Sequence, residues 1–372
     1  MKLKIEKEIL LENLNAVTKA ISTRNIIPVL NGIEFNLEKK GLYLTATNND
    51  ITIKTFIDKK NIKEINEEGK IIIYGRYLLE IIRKLPSEII TIEEIDGNKT
   101  VISTKNSKYN LNCFSVNEFP KIDFKETSNP IIILSSTLKE LINQTSFATS
   151  LQESRPLLTG INMKIIGNIL ECVATDSYRL AKKIIKINTP VEESINIVIP
   201  ARNINELLKI IESEKDIEMH IFNNKILFKY DNILFQSSLL NGSYPNTDNF
   251  VPNNFEMEVE VNLIDFYNMI DRASLLAQSK DKNTIQISII KDKLIVNSSS
   301  QEAGKVEEKI DIINKKGEEL KISCSAKYLL EALKTFETET IKLYFNGQIK
   351  PIIIKESDEG TLIQLILPIM TY

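Results

Sequence analysis

Residues 174–181 read ATDSYRLA, placing two hydroxyls, a carboxylate, a phenol and a guanidinium directly after the apolar stretch IGNILECV. Such a set could serve a catalytic loop, a strand end closed by an Asp turn, or a surface that fixes the polar groups of a docked segment. The usual partners of catalysis are missing. The one histidine, His220, lies in DIEMHIFNN, whose alternation predicts a strand and a structural role. One histidine excludes multi-histidine metal sites and HExxH. Cys113, Cys172 and Cys324 form no CxxC, and no base is adjacent to any of them in sequence. Neither GxGxxG nor GxxxxGK[ST] occurs, and DGNKT at 96–100 predicts a hairpin turn. Carboxylates are too numerous to single out an acid–base pair. No metal and no cofactor are expected, and no catalytic residue can be nominated.

A second pattern carries charge. Arg76 and Arg83, Arg202 and Lys209, and Lys327 and Lys334 are i, i+7 pairs, with Glu80, Glu206 and Glu331 between their members. Seven residues make two helical turns, so each pair points one way. The arrangement fits an ordinary solvated face with i, i+4 ion pairs, or a basic track that meets phosphates.

These residues sit in an internal repeat. PVLNGIEF begins at Pro28 and PLLTGINM at Pro156; ATNND begins at Ala46 and ATDSY at Ala174; both offsets are 128. YGRYLLEIIRKL from Tyr74, PARNINELLKII from Pro200 and SAKYLLEALKTF from Ser325 form a threefold set offset by 126 and 125. Their apolar positions (Leu78, Ile204, Leu329; Ile82, Leu208, Leu333; Leu85, Ile211, Phe336) mark one face of an amphipathic helix. The strand-like runs KIIIY, INIVI and LKISC precede these helices. Each copy is expected to open with another helix, striped by Leu10, Leu14, Val17 and Ile21, by Leu138, Ile142 and Thr145, and by Leu263, Phe266, Ile270 and Ala277. Short alternating strands lie between, among them KILFKYDNILFQSSLL, turning at Asp231-Asn232. The pattern predicts a mostly antiparallel α+β domain repeated three times, at 1–126, 127–250 and 251–372, with polar Pro-containing boundaries KETSNP and YPNTDNFVPNN.

Bulk properties agree with a globular chain. It has 372 residues, 42% hydrophobic and 26% charged, with a formal net charge of −3. No run of 18 uncharged apolar residues exists, so no membrane span is expected. The start MKLKIEKEIL lacks a signal-peptide apolar region, and the cysteine usage predicts a reduced, cytoplasmic protein. Across the six predicted helices (8–22, 76–84, 137–150, 201–212, 262–277, 325–336) there are ten Lys/Arg against nine Asp/Glu. That slight excess contrasts with the acidic total but does not by itself establish nucleic-acid binding.

Taken in order, MKLKIEKEILLENLNAVTKAIS, RNIIPVLNGIEF, YGRYLLEIIRKLP, NEFP at 117–120, SRPLLTGINM, ATDSYRLA, IPARNINELL, SYPNTDNFVP and the C-terminal LILPIMTY resemble the bacterial sliding clamp family, the beta subunit of DNA polymerase III. The resemblance covers the whole chain. It implies three clamp-type domains, each with two helices on antiparallel sheets, and a head-to-tail homodimer that closes into a six-domain ring around duplex DNA. It also implies a groove between domains two and three for short linear peptides of polymerase, clamp loader and repair proteins, with no intrinsic catalysis. Matching groove positions are Leu158, Thr175, Ser177, Tyr178, Arg179, Leu180, Pro245, Leu365, Leu367, Pro368, Ile369 and Met370. In such a groove Thr175 and Arg179 would fix a peptide's polar groups. Asn249 and Met370 stand where some relatives carry Arg, and Pro351 where some carry Ser. DNA-facing positions carried over are Arg24, Arg76, Arg83, Gln152, Arg155, Arg202 and Lys209, with Lys327 and Lys334 added by the repeat. At the dimer contact Tyr109 and Leu111 would face Leu275 and Leu276, unless the leucines pack their own core. Two other expectations stand beside the ring: a repeat-built peptide-binding scaffold that never encloses DNA, and, third, a hydrolase using clustered carboxylates.

Overall fold

The apolar spacing becomes six helices: α1 (Lys7–Val17), α2 (Gly75–Lys84), α3 (Ser135–Thr145), α4 (Ala201–Leu208), α5 (Leu263–Ser274) and α6 (Ala326–Leu333). The computed structural model describes residues 1–22, 26–86, 88–96, 98–212, 214–252, 254–277 and 283–370. The predicted stripes are buried, with two differences. Ile21 is half-buried, beyond α1 and the 3-10 turn Thr18–Ala20 that follows it. Leu207, not Leu208, enters the core of its copy. Ile204, Leu207 and Ile211 follow each other at spacings of three and four, which marks one helix face as well as four and three does. Side-chain caps set two starts, with Asn262 Oδ1 accepting from Asp265 N–H at 3.1 Å and Ser325 Oγ from Tyr328 N–H at 3.4 Å.

The copies do not open with a helix. A strand precedes each first helix, at Lys2–Glu6, Ile131–Leu134 and Met257–Asn262. In KLKIE the alternation is plain, with Leu3 and Ile5 buried between outward lysines.

The chain divides into two compact units, 1–136 with 202–239, and 137–201 with 240–372. The first unit carries one 13-stranded sheet whose strand pairs are antiparallel. In it the strand Ile233–Ser238 pairs with Ile51–Asp58, register Ile233↔Thr55 to Ser237↔Ile51, so main-chain bonds join copy two to copy one. The hairpin Lys225–Tyr230/Ile233–Ser238 turns at 231–232 as expected, with Asp231 at φ +52°. The hairpin Ile89–Glu94/Lys99–Ser103 also forms, though Gly97 of its expected turn lies outside the described residues.

The second unit holds a seven-stranded and a four-stranded sheet. Its longest feature is the antiparallel pair Gly160–Thr175/Arg179–Pro200. The second of these strands also pairs with Leu362–Ile366, register Arg179↔Ile366 and Leu180↔Leu365, joining copy two to copy three. The division into units therefore falls inside the second copy, whose strands complete sheets on both sides. The third copy's core gathers Phe266, Met269 and Ile270 from α5 and Leu329 and Leu333 from α6 over the sheet residues Ile287, Val296 and Leu343.

Candidate functional site

The ATDSYRLA segment is the turn of the long hairpin, and its geometry follows from three side chains. Asp176 Oδ1 accepts from Tyr178 N–H at 2.9 Å and from Arg179 N–H at 3.1 Å. Thr175 Oγ1 donates to the Arg179 carbonyl at 2.5 Å and accepts from Ser177 N–H at 3.1 Å. Between them Ser177 takes φ +77°, a left-handed conformation costly for a residue with a Cβ. Thr175 N–H donates to Tyr244 Oη at 3.1 Å; burial pushes that phenol's pKa above its ordinary value, only partly opposed by this bond.

Arg179 is consumed by the turn's own architecture. Its Nε donates to Asp176 Oδ2 at 3.0 Å, its Nη1 to Glu331 of α6, and its Nη2 to the Phe147 carbonyl at 2.7 Å. The guanidinium also lies 4.5 Å from the Tyr328 ring centre and 5.3 Å from that of Phe147. Arg179, expected to fix a ligand's polar groups, is here engaged by groups of the turn and its neighbours. The hydroxyl of Thr175 is likewise engaged internally.

Around this turn lies a cavity of about 260 Å³ lined by Thr175, Ser177, Arg179, Leu180, Phe250, Pro351, Leu365 and Leu367. Beneath it Leu180 and Leu365 pack with Val173, Tyr344 and Ile353. The Tyr344 ring is 4.7 Å from that of Phe255, and its hydroxyl donates to Asp358 at 2.5 Å. An apolar floor with a hydroxyl-bearing rim suits a few apolar side chains of an extended segment.

Six expected groove residues therefore converge: Thr175, Ser177, Arg179, Leu180, Leu365 and Leu367. Leu158, Tyr178, Pro245, Pro368, Ile369 and Met370 do not line this cavity. Leu158 is buried, Pro245 and Tyr178 are exposed, and Met370 is 60% exposed. Ile369 N–H donates to the Ser323 carbonyl at 2.7 Å and Leu367 N–H to that of Tyr178 at 2.9 Å, which holds the C-terminal segment beside the turn. Sequence reasoning missed Phe250, which is 46% exposed in the polar segment YPNTDNFVP. An unpartnered aromatic there was the available signal.

The basic helix positions form a second set. Arg76 and Arg83 on α2, Arg202 and Lys209 at α4, and Lys327 and Lys334 at α6 are all exposed. Arg83 Nη1 bonds Glu80 at 2.8 Å, and Lys209 Nζ bonds Glu206 at 2.7 Å. Arg76 and Arg202 make no ion pair among the described residues. In the first unit a cavity of about 650 Å³ is bordered by Arg76 and Glu80, and one of about 640 Å³ by Arg202 and Glu206. Both include Lys19, Ile21 and Ser22, so Lys19, not anticipated as a site residue, lies beside both basic helices. Gln152 and Arg155 are both exposed, and Arg155 Nη1 donates to Ser177 Oγ at 2.9 Å. Arg24 lies outside the described residues.

Of the expected dimer residues, Leu275 is 67% exposed just after α5, so it does not pack its own core; Tyr109 is exposed, and Leu111 and Leu276 are half-buried. Tyr109 and Leu111 lie on the strand Lys108–Phe114, which pairs with Lys99–Ser103 along its length and with Gly69–Tyr74 only through Cys113 and Phe114.

His220 occupies a strand, as expected, and ties down the connector after residue 120. Its Nδ1 accepts from Thr127 N–H at 2.9 Å. The ligand atoms of Glu126, Glu218 and His220 lie within 4.8 Å of one another. Lys229 Nζ already sits 2.8 Å from Glu126 and 3.5 Å from Glu218. His220 Nε2 lies 3.3 Å from Glu218 Oε2. The cluster is a structural tie. Among the described residues no helix is long and apolar enough to cross a membrane.

Family profiles described as the DNA polymerase III beta subunit N-terminal, central and C-terminal domains match residues 1–123, 133–246 and 248–370. The beta sliding clamp of Bacillus subtilis (strain 168) is 39% identical and that of Staphylococcus aureus (strain N315) 36% identical, each over 100% of both chains. The crystal structure of the DNA polymerase sliding clamp from Bacillus subtilis superposes with a TM-score of 0.95 at 38% identity over 100% of both chains. That of the DNA polymerase III beta chain from Streptococcus pneumoniae TIGR4 superposes with a TM-score of 0.95 at 31% identity, again over 100% of both. With three domain profiles in order and full-length agreement in sequence and fold, the chain belongs to the DNA polymerase III beta subunit family, the beta sliding clamps.

Proposed function

We propose that this chain is a DNA sliding clamp: a homodimer that surrounds duplex DNA as a ring and tethers the replicative polymerase to it, with no chemistry of its own. The observation that carries this is the full-length agreement with sliding clamps in both sequence and fold. The charge distribution is in keeping. A tether that must slide reads no bases, and strong phosphate neutralisation would arrest it. A closed ring supplies retention by topology, so weakly basic helices and a net charge of −3 suffice.

In this reading the repeats are domains at 1–126, 127–250 and 251–372. Arg24, Arg76, Arg83, Gln152, Arg155, Arg202 and Lys209, joined by Lys19, face the DNA. The cavity around Leu180, Phe250 and Leu365 receives apolar side chains of short peptides from polymerase, clamp loader and repair proteins. The dimer closes where Tyr109 and Leu111 meet Leu275 and Leu276; at about 1.5–3 kcal/mol for each side chain fully buried, four such residues supply several kcal/mol. The work is done on cytoplasmic DNA.

The test is retention. Loaded onto nicked circular duplex by a clamp loader, the protein should remain bound through gel filtration and be lost once the circle is linearised. Equal retention on both forms refutes the topological mechanism. A solution mass of one 42.4 kDa chain, rather than two, favours the open peptide-binding scaffold.

A further inference from the structure

We infer that Glu80, Glu206 and Glu331, the acid repeated once in the second helix of each copy, set how loosely this protein holds the DNA backbone. The inference rests on the reading that these helices face DNA, and it concerns mobility rather than identity. In all three copies the order is basic, three residues, Glu, two residues, basic: Arg76–Glu80–Arg83, Arg202–Glu206–Lys209 and Lys327–Glu331–Lys334. This spacing sets the acid one turn from each cation on the same face, so it can engage either one.

In the first two copies the glutamate holds one cation of its pair and leaves the other for a phosphate. Glu80 takes Arg83 at 2.8 Å and Glu206 takes Lys209 at 2.7 Å, while Arg76 and Arg202 keep their charge unpaired among the described residues. In the third copy Glu331 lies 4.0 Å from Lys327 and also binds Arg179, while Lys334 Nζ sits 5.9 Å from the Tyr267 ring centre. Every triplet thus carries +1 where its two cations alone would carry +2. The paired cation is exposed in each case, so the acid competes with a passing phosphate for it. As a phosphate leaves, the glutamate takes the cation back. Binding stays shallow and shifts readily from one phosphate to the next.

Glu80→Gln/Glu206→Gln is the informative variant. It preserves side-chain shape and helix propensity, and it leaves Glu331, which also anchors the groove turn. Anisotropy of a labelled linear 30-base-pair duplex across a potassium chloride series should give a plot of log K against log salt that is steeper by up to about 0.9 for each cation released to a phosphate. One-dimensional diffusion of the loaded protein along stretched duplex should slow several-fold. A slope and diffusion constant equal to wild type, with wild type retained on circles and lost on linearisation, overturns the inference and leaves the clamp reading intact. Wild type that is not retained on circles overturns the reading it rests on. Arg76→Gln/Arg202→Gln should move the slope the opposite way; a steeper slope in that variant also counts against the scheme.

Discussion

Replacing Arg179 with Met would test whether the guanidinium organises the groove turn or serves the ligand. The thioether keeps an unbranched stem and removes the charge. Stripping one partner from a buried ion pair costs about 3–5 kcal/mol, because the other charge is left behind. Loss of the two aromatic contacts adds about 0.5–1 kcal/mol each. Two features reduce the sum. Glu331 is 32% exposed and can lean toward Lys327 and water, and Asp176, 13% exposed, retains two backbone N–H donors. The expected loss is about 2–4 kcal/mol, read as a lower urea midpoint by circular dichroism. Faster amide exchange should be confined to the turn 174–181. Adding Glu331→Gln should recover part of the loss, since the stranded charge goes with it. Arg179→Lys should recover little, because one ammonium cannot span Asp176, Glu331 and the Phe147 carbonyl. If Arg179→Met costs under about 1 kcal/mol while affinity for a polymerase-derived peptide falls tenfold, the side chain serves the ligand directly and the reasoning is wrong.

Three further outcomes are expected. Phe250→Ala removes one wall of the groove cavity and should weaken that peptide by about 1 kcal/mol, roughly fivefold, by isothermal titration; unchanged affinity would take Phe250 out of the site. Leu275→Glu with Leu276→Glu should yield monomers of 42.4 kDa in sedimentation, whereas a persistent dimer would place the contact elsewhere. Burial raises the Cys172 and Cys324 thiols to about 12, so at pH 8 only about one in ten thousand of each is thiolate, against roughly a quarter for a free cysteine. A disulfide reagent at pH 8 should therefore find Cys113 first, itself slowed by partial burial, and reach the other two only in urea; rapid native labelling of Cys172 would contradict the described core.

The helices were legible because their apolar stripes are local and occur three times, so each copy checks the others. The shift from Leu208 to Leu207 was not, since adjacent leucines offer two helical spacings that serve one face equally well. Of the opening strands only IIIL, four residues without alternation, was hidden by brevity; KLKIE and MEVEVN alternate and could have been read. At the groove, the ATDSYRLA hydroxyls stood out, and the resemblance brought in Leu180, Leu365 and Leu367. The role of Arg179 did not, because its partners Phe147 and Glu331 lie 32 and 152 residues away.

The seams between copies carry a consequence for divergence. Ile51–Asp58 meets Ile233–Ser238, and Arg179–Lys183 meets Leu362–Ile366, through peptide groups common to every residue type except proline at the donor. A joint of that kind is indifferent to side-chain identity. Mutations could accumulate in each copy until little common sequence remained, without loosening how neighbours join, which would account for a threefold ancestry that survives here as a few short matched segments within an undamaged architecture.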